Sequence, residues 1–300
     1  MSIDPTEFVR NDPFHKTSQA ILGKRSIHSS ESIDYYSKTL KADTYAMSIL
    51  HHGLLFPFTS EPTHYEERNN RSALENHDLV WEKIKKWEES GYVVRVKEKP
   101  KCISPLSVAE KFDWINQSWK KRVCLDLSRH VNKFIPDTPV KLQDLKTSQC
   151  LLEPGDFQAA VDLENCFFHV RVNSAHQQYL GFKWTLPETG HECFFKFVVM
   201  IYGVKPAVSI VTRLIKPIVS KLHQEGIKFS IYIDDGRTVA NSKELTMEHH
   251  LKVQDTLQLA GWNIQKEKTS NEPTQALYHQ GLITDTKSML YFFPLSRKNT

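Results

Sequence analysis

The sequence predicts an α+β fold, in which helices cover one face of a mainly antiparallel sheet. Three observations support this prediction. Short strand-like runs alternate with longer amphipathic runs, a tight hairpin is indicated near residues 229–236, and no internal repeat or low-complexity tract is present. With 300 residues, 40% of them hydrophobic and 25% charged, the chain can bury a core in one large domain or two modest ones.

Composition alone excludes few classes of function. The chain has 39 basic and 35 acidic residues, so its net charge of +4 is weak evidence for a polyanionic partner. The five cysteines form no CxxC pair and no zinc spacing, and we expect reduced thiols. The amino terminus lacks a secretory pattern, which predicts an intracellular protein of the cytoplasm or nucleus. The longest apolar stretch, Phe194–Val204, is too short to span a membrane, so no membrane partner is expected.

The elements of the N-terminal part are predicted in order. Residues 1–50 are expected to form a flexible arm, because most of this segment is rich in Ser, Asp, Lys and Thr without clear periodicity. Ser72 and Glu75 then match a helix-capping box. An apolar stripe follows at helical spacing, at Val80, Ile84 and Trp87. These residues predict a helix over 73–90 that is ended by Gly91.

Two strands edged with basic residues are predicted next, Tyr92–Val96 and Val123–Leu127. Basic clusters at Lys97–Lys101 and Lys120–Arg122 accompany them, with a turn over 113–118. Such strands could hold a nucleoside triphosphate or a phosphate backbone. A solvated basic hairpin is the alternative, and charge alone favours that alternative.

The next strand carries an isolated acid. Asp162 lies between apolar residues in the predicted strand 159–163, and a carboxylate there is costly unless it is paired or bound to a metal. Pro206 begins a predicted helix, in which Pro217 is expected to cause a kink. The remaining predicted elements are a helix over 242–260 and strands over 277–294.

The run Phe229–Gly236 ends in two adjacent carboxylates, Asp234 and Asp235. Its side chains alternate between faces, which predicts a strand whose end carries the acid pair. Gly236 is expected to adopt positive φ and to turn the chain into a hairpin. Two neighbouring carboxylates repel each other, and a divalent cation commonly relieves that repulsion. A solvated Asp-Asp-Gly turn is the alternative, and this run by itself favours it.

Several blocks, in this order, resemble the fingers and palm of a reverse transcriptase. Tyr232-Ile233-Asp234-Asp235 is similar to the family's tyrosine-any-Asp-Asp box, and Asp162–Val170 resembles its first catalytic strand. The other blocks are Leu125–Lys133 in the fingers, Tyr202–Lys205 before the palm helix, Gly261–Lys268 after the hairpin, and Leu277–Asp285 at the primer grip. The order of the segments before the palm is most similar to that in animal retroelements, including the tyrosine-recombinase kind.

The resemblance implies a right-hand polymerase fold and a division of the chain. Residues 51–158 would form the fingers and the start of the palm, and 159–295 the palm with the catalytic hairpin and the primer grip. The family's thumb and RNase H regions lie beyond the palm, and we expect neither within this chain. Template RNA or DNA with a primer, and deoxynucleoside triphosphates, are the implied partners.

The resemblance also implies roles in catalysis and metal binding. Asp162 and Asp234 would bridge two Mg²⁺ ions, with Mn²⁺ as an alternative, and Asp235 would support the site from beside them. Lys268 matches the family's lysine near the departing pyrophosphate. The implied activity is transfer of a nucleotide to a primer 3′-hydroxyl.

Further positions match the family's nucleotide-binding residues. Lys111 and Arg122 would grip the incoming triphosphate, and Gly203 lies in the block before the palm helix. Phe167 matches the ring that crowds the sugar 2′-carbon and so favours DNA over RNA as product, with a core aromatic as its alternative role. Tyr232 would lie beneath the primer end or simply pack there.

The chain departs from the family pattern at three positions. Ile201 replaces a proline, Val208 stands where a proline or small residue is frequent, and Ser128 adds a residue to the fingers block. These departures leave a second hypothesis open, a catalytically decayed nucleic-acid-binding remnant with the same fold. A third, an RNA-making polymerase with a similar palm, is disfavoured by Phe167.

Overall fold

The computed structural model describes residues 26–113, 118–140 and 148–293. Most of the arm predicted at the amino terminus, residues 1–25, and the tip of the predicted turn, residues 114–117, lie outside the described residues. None of the described helices is long and apolar enough to cross a membrane.

Three antiparallel strands form the sheet that carries the predicted catalytic acids. Their order is β6 (Phe157–Asp162), β10 (Asp235–Ala240) and β9 (Lys228–Tyr232). Two long helices pack against this sheet, α5 (Ala207–Gln224) against β9 and α6 (Lys243–Leu259) against β6 and β10. Helices on an antiparallel sheet are the arrangement of an α+β fold, as the sequence predicts.

The two helices form for reasons that are visible in the sequence. Helix α5 buries one stripe of its surface, at Ile210, Val211, Leu214, Ile215, Ile218, Val219 and Leu222. It continues through Pro217 as one helix. Helix α6 begins after Ser242, whose side chain accepts a hydrogen bond from the Leu245 N–H at 3.1 Å, and Gly261 follows its end at a φ of +87°. The predicted boundaries of α6 are confirmed.

A second sheet has five strands in the order β1-β3-β7-β8-β2, and it is mixed, since β1–β3 and β3–β7 are parallel. Its strands are β1 (Tyr65–Glu66), β2 (Val93–Val96), β3 (Cys102–Ile103), β7 (Gly181–Thr185) and β8 (Glu192–Phe197). Two smaller sheets are the long hairpin of β4 (Leu106–Asp113) with β5 (Ser118–Leu125), and the run of β11 (Ala276–His279), β12 (Leu282–Asp285) and β13 (Leu290–Phe292).

Residues 26–50 are not a flexible arm, and this part of the sequence prediction is wrong. They form helix α1 (Ser30–Asp34), a π-helical turn and most of helix α2 (Thr44–His52). Tyr36 is fully buried, where its hydroxyl donates to the Leu214 carbonyl and accepts from the Trp262 indole N–H, at 3.0 and 2.9 Å. A few aromatic and aliphatic anchors in a polar segment are therefore enough to attach it to the core.

The helix predicted over 73–90 is two helices, α3 (Arg71–Glu75) and α4 (His77–Glu89), separated at Asn76. The predicted capping box does not form, because the Ser72 hydroxyl accepts a hydrogen bond from the Val108 N–H at 3.0 Å instead. Ser72 thereby attaches α3 to β4. The predicted apolar stripe is buried, and Gly91 has a φ of +69° after the helix end, as expected.

Candidate active site

Strand pairing brings the predicted catalytic acids together. Asp162 ends β6, Asp235 begins β10, and the two are direct cross-strand partners in an antiparallel ladder. The Leu163 N–H donates to the Asp234 carbonyl at 2.9 Å, which ties the two strand ends together. Asp162, Asp234 and Asp235 therefore meet at one end of the sheet although they are distant in the sequence.

The turn between β9 and β10 differs from the prediction made for Gly236. Gly236 is a strand residue without positive φ, and the left-handed position is Ile233, at a φ of +62°. A Cβ at Gly236 would lie 2.8 Å from Val161 Cγ1 and 3.0 Å from Phe229 Cε2. Glycine is needed there for close packing of β10 on its neighbours. The strained backbone conformation of the turn is instead that of Ile233, a β-branched residue next to Asp234.

The three carboxylates are mutually unfavourable in this arrangement. Burial raises the pKa of Asp162, and the charge of Asp234 raises it further, while Lys268 lowers it. Burial likewise raises the pKa of Asp234 and of Asp235 above the ordinary value for aspartate. The site thus concentrates negative charge where water solvates it poorly, which is the electrostatic condition that favours binding of a cation.

Lys268 is the predicted lysine that contacts the acids directly. Its Nζ lies 3.3 Å from both carboxylate oxygens of Asp162, at the end of a short 3₁₀ turn, Lys266–Lys268. The side chain of Lys268 is 57% exposed, so its charge is mobile and only partly offsets that of Asp162. A cation next to the acids is well placed to contact an anionic substrate group as well.

Asp235 is held by a second hairpin. Its Oδ2 accepts a hydrogen bond from the Gln280 N–H at 3.0 Å, in the turn between β11 and β12. The buried His279 Nε2 lies 3.3 Å from the Asp235 carbonyl, and burial lowers the pKa of His279 to about 3, so this imidazole is neutral. The β11–β12 hairpin, which resembles the family's primer grip, therefore fixes the orientation of one predicted catalytic acid.

The buried guanidinium of Arg237 lies on the same strand as Asp235, and the sequence analysis assigns no role to it. Arg237 is fully buried and donates to Gln158 Oε1 at 3.2 Å and to Ser148 Oγ at 2.6 Å. Burial lowers the pKa of Arg237 to about 10, and the nearby Asp235 counteracts this. A buried cation bonded to neutral groups is unusual, and the acid cluster is its natural counter-charge.

The donor set fits a hard divalent cation that also binds substrate. Among the described residues, no three His, Cys, Asp or Glu side chains are arranged to hold a metal ion on their own. Mg²⁺ in polymerase sites takes one or two carboxylates and completes its shell with water and substrate phosphates. The oxygen-only acid cluster agrees with that mode of binding and not with a preformed cage.

Three basic residues of the β4–β5 hairpin share one face of it. Ala109 pairs with Arg122 and Lys111 with Lys120, so the side chains of Lys111, Lys120 and Arg122 lie on the same side. Burial raises the pKa of Asp234, and the charge of Arg122 is among the groups that oppose this rise, so Arg122 lies within electrostatic range of the acids. Lys111 lies two pairs nearer the hairpin tip than Arg122, and no contact with the acids is found for it within the described residues.

Phe167 lies near the acids but is covered. It is only 3% exposed, in the 3₁₀ turn Cys166–His169, and the ring of Tyr202 packs edge-on against it at 4.5 Å between centroids. Tyr202 is 44% exposed, and the charges of Asp234 and Asp162 help to raise its pKa, after burial and Cys166. Tyr202 is therefore the aromatic ring that this surface offers to a ligand.

The loop with Gly203 is fastened to the fingers block. The Asn132 side chain donates to the Gly203 carbonyl at 2.7 Å and accepts from the Lys205 N–H at 3.0 Å. Gly203 has a φ of +96°, which a residue with a Cβ rarely adopts. Tyr232 ends β9 as the cross-strand partner of Asp235, and it is partly exposed.

Two of the three departures from the family pattern lie at or just before the start of α5, and the third lies in a turn of the fingers block. Ile201 is buried in the loop before α5, and Val208 is in the first turn of that helix. Ser128 closes a local turn, with its hydroxyl and N–H donating to Asp126 Oδ1. Sequence reasoning missed Tyr202, Arg237 and Gln280 as site residues. Tyr202 and Gln280 lie within the family blocks, which was the signal that could have indicated them, whereas the pattern around Arg237 gave none.

Fold and site together define a protein with clustered carboxylates on an antiparallel sheet, beside a basic hairpin, as expected of a nucleotidyl-transfer enzyme. The family model described as reverse transcriptase (RNA-dependent DNA polymerase) matches residues 109–279, more than half of the chain. The chain belongs to the reverse transcriptase family. Comparison with curated proteins gives no match. Family membership implies a nucleotidyltransferase that acts on a primed template with deoxynucleoside triphosphates.

Proposed function

We propose that this chain is the RNA-directed DNA polymerase domain of a retroelement, which adds deoxynucleotides to a primer 3′-hydroxyl on an RNA or DNA template. The observation that carries the proposal is the cross-strand pairing of Asp162 with Asp235, with Asp234 alongside and Lys268 in contact. Family membership supports the reaction class. The order of the N-terminal blocks favours a retroelement of the tyrosine-recombinase kind.

Asp162 and Asp234 would hold two Mg²⁺ ions, or Mn²⁺, and Asp235 would support them. When bound, the ions would supply charge neutralisation at the triphosphate and a more acidic primer hydroxyl. The raised pKa of each acid supports this assignment, since each carboxylate gains most from a nearby cation. Asp235 has one oxygen bonded to the Gln280 N–H, which agrees with a supporting role.

The basic residues would bind the triphosphate. Arg122 can donate forked hydrogen bonds to phosphate oxygens, and Lys111 adds a charge on the same face of the β4–β5 hairpin. Lys268, which contacts Asp162 here, would turn to the departing pyrophosphate, and its exposed side chain allows that movement. These groups neutralise charge without an acid–base step of their own.

The aromatic residues would select and align the sugar and primer. Tyr202 lies over Phe167, so the pair would form the wall against the sugar 2′-carbon, with Phe167 supporting the exposed ring. Tyr232, beside the acids, would contact the primer end. Gly203 would let the loop backbone approach the nucleotide closely.

We assign residues 51–158 to the fingers and the start of the palm, and 159–295 to the palm, in a right-hand polymerase arrangement. The β6–β10–β9 sheet with α5 and α6 supports the palm assignment. Residues 26–50 belong with the folded part, because they pack into the core. We also propose that the protein works in the cytoplasm or nucleus.

Primer extension with Mg²⁺ tests the proposal. Asp234→Asn should abolish extension on a poly(rA)–oligo(dT) template. Asp255→Asn, the same chemical change at an exposed position on α6, should retain full activity. Equal extension by the wild type and Asp234→Asn would reject the mechanism.

One observation favours a second function, a nucleic-acid-binding remnant without catalysis. Lys268 already pairs with Asp162, so a cation from the protein takes part of the place that a metal would need. A remnant would bind primer-template in a salt-dependent manner and extend it with neither Mg²⁺ nor Mn²⁺. If Lys268→Ala restored primer extension, Lys268 would be identified as the group that prevents metal binding.

A further inference from the structure

A basic cleft of about 540 Å³ lies between residues 39–43 and the outer face of α5. We call it the α5 cleft. Its charged lining residues are Lys41, Asp43, Arg213, Lys216 and Lys221. The buried stripe of α5 faces the core, so the cleft lies on the solvent face of this helix. Helix α5 carries none of the predicted catalytic acids.

The charges of the α5 cleft are strongly unbalanced. Four cations face one carboxylate, and that carboxylate, Asp43, is paired with Arg213 at 3.0 Å. Lys221 pairs with Glu225 at 2.9 Å. Lys41 and Lys216 are exposed, and neither forms an ion pair with any residue in 26–113, 118–140 or 148–293. Two cations thus remain available to an anionic ligand.

Arg213 is pre-oriented for such a ligand. Its Nε donates to Asp43 Oδ2, and its guanidinium lies 4.5 Å from the centre of the Tyr45 ring. Stacking and the ion pair fix the plane of the group. Its two terminal nitrogens form no hydrogen bond with the described residues, and they present the fork that suits phosphate oxygens.

Lys41 has a backbone conformation that is unfavourable for a residue with a Cβ. Its φ is +51°, in the left-handed region that glycine adopts without strain. Hydrogen bonds on either side hold this turn, from the Leu40 N–H to the Tyr35 carbonyl and from the Ala42 N–H to the Tyr36 carbonyl, both at 3.0 Å. A lysine at this strained position gives the cleft a charge that a glycine would not.

The lining indicates what kind of anion would bind. No aromatic side chain is among the lining residues, so the cleft offers no platform on which a base could stack. Arg213 and Lys221 are separated by about 12 Å along the helix axis. That length exceeds one phosphate group and suits successive phosphates of a chain.

We propose that the α5 cleft binds the phosphate backbone of a nucleic acid without sequence preference, outside the polymerase site. The proposal goes beyond polymerisation and does not depend on it, because binding at the cleft uses no catalytic residue. Contacts to phosphates alone carry no sequence information.

Fluorescence anisotropy with a labelled single-stranded oligo(U) RNA, without Mg²⁺, primer or nucleotides, tests the proposal. The variant Lys41→Ala/Lys216→Ala is compared with Lys86→Ala/Lys252→Ala, which removes two exposed helix lysines elsewhere. Each lost phosphate contact should lower the slope of log affinity against log salt by about 0.7, so the cleft variant should lose about 1.4. The control variant should keep the wild-type slope.

Two further measurements separate the cleft from other basic surfaces. Photo-crosslinking with 4-thiouridine RNA should label peptides within 39–45 and 213–224. Lys41→Gly should raise Tm, because it relieves the left-handed strain, while it weakens RNA binding. Three results would each overturn the proposal. The two double variants could show equal slopes, or the crosslinks could be confined to β4 and β5. Poly(glutamate) could also displace the RNA at the same charge concentration as poly(U).

Discussion

Gly236→Ala is a sharp test of how the two catalytic strands pack. The new Cβ would lie 2.8 Å from Val161 Cγ1 and 3.0 and 3.1 Å from two atoms of the Phe229 ring. Carbon atoms normally keep at least about 3.5 Å, so β10 must move by several tenths of an ångström. Overpacking of this kind costs about 1–3 kcal/mol, which lowers Tm by roughly 2–4 °C per kcal/mol.

The same change should also reduce catalysis. Gly236 pairs with Val161, next to the pair of Asp235 with Asp162, so a displacement of β10 separates the carboxylates. A misplacement of about 1 Å can reduce a rate about 10²-fold. Thermal unfolding and single-nucleotide extension under saturating substrate would measure the two effects.

Two further variants make this prediction refutable. Val161→Ala removes the nearest clashing atom, so the double variant should show a favourable coupling of at least about 0.5 kcal/mol with Gly236→Ala. Gly155→Ala has a φ of +86° but no atom within 4 Å, and it reports strain without a clash. A Gly236→Ala protein with unchanged Tm and full activity would show that the close packing described here is wrong.

Three other substitutions have expected outcomes. Asp234→Asn should raise Tm at pH 7, because burial raises the pKa of Asp234 and destabilises its charged form. In a pH series of melting curves, this gain in Tm should vanish as the pH falls below about 4, where the carboxylate of the unfolded chain is also protonated. Lys268→Gln should shift Tm by less than about 2 °C, since its ion pair is exposed, yet slow extension on the order of 10²-fold in single-turnover assays. Tyr202→Ala should increase ribonucleotide incorporation at least as much as Phe167→Ala, because Tyr202 is the exposed ring; a change only in Phe167→Ala would contradict this.

The sequence predicted elements well where local patterns decide them. Helix α6 has its Ser242 cap and Gly261 end, and the stripe along α4 is buried, because capping and periodicity are local properties. The strand that carries Asp162 and the strand before the acid pair were also predicted, although the pair itself spans the turn and the first residue of β10. Their adjacency was not a local property, and only the ordered family blocks indicated it.

The sequence predicted poorly where distant contacts decide the outcome. Ser72 bonds to β4 in place of its own helix, and Gly236 is set by neighbours from two other strands. Tyr36 attaches the N-terminal segment through Leu214 and Trp262, which no local pattern indicates. Gln280 donates to Asp235 from another sheet, and Arg237 finds Gln158 and Ser148 outside its own strand, for the same reason.

The central claim is that three acids at the end of the β6–β10–β9 sheet together hold the ions for nucleotidyl transfer. Counting Mn²⁺ bound in a complex with primer-template and a non-hydrolysable deoxynucleotide, by electron paramagnetic resonance, tests it most directly. The account predicts two ions in the wild-type complex and fewer in Asp162→Asn. The same number of bound ions in both proteins would contradict it.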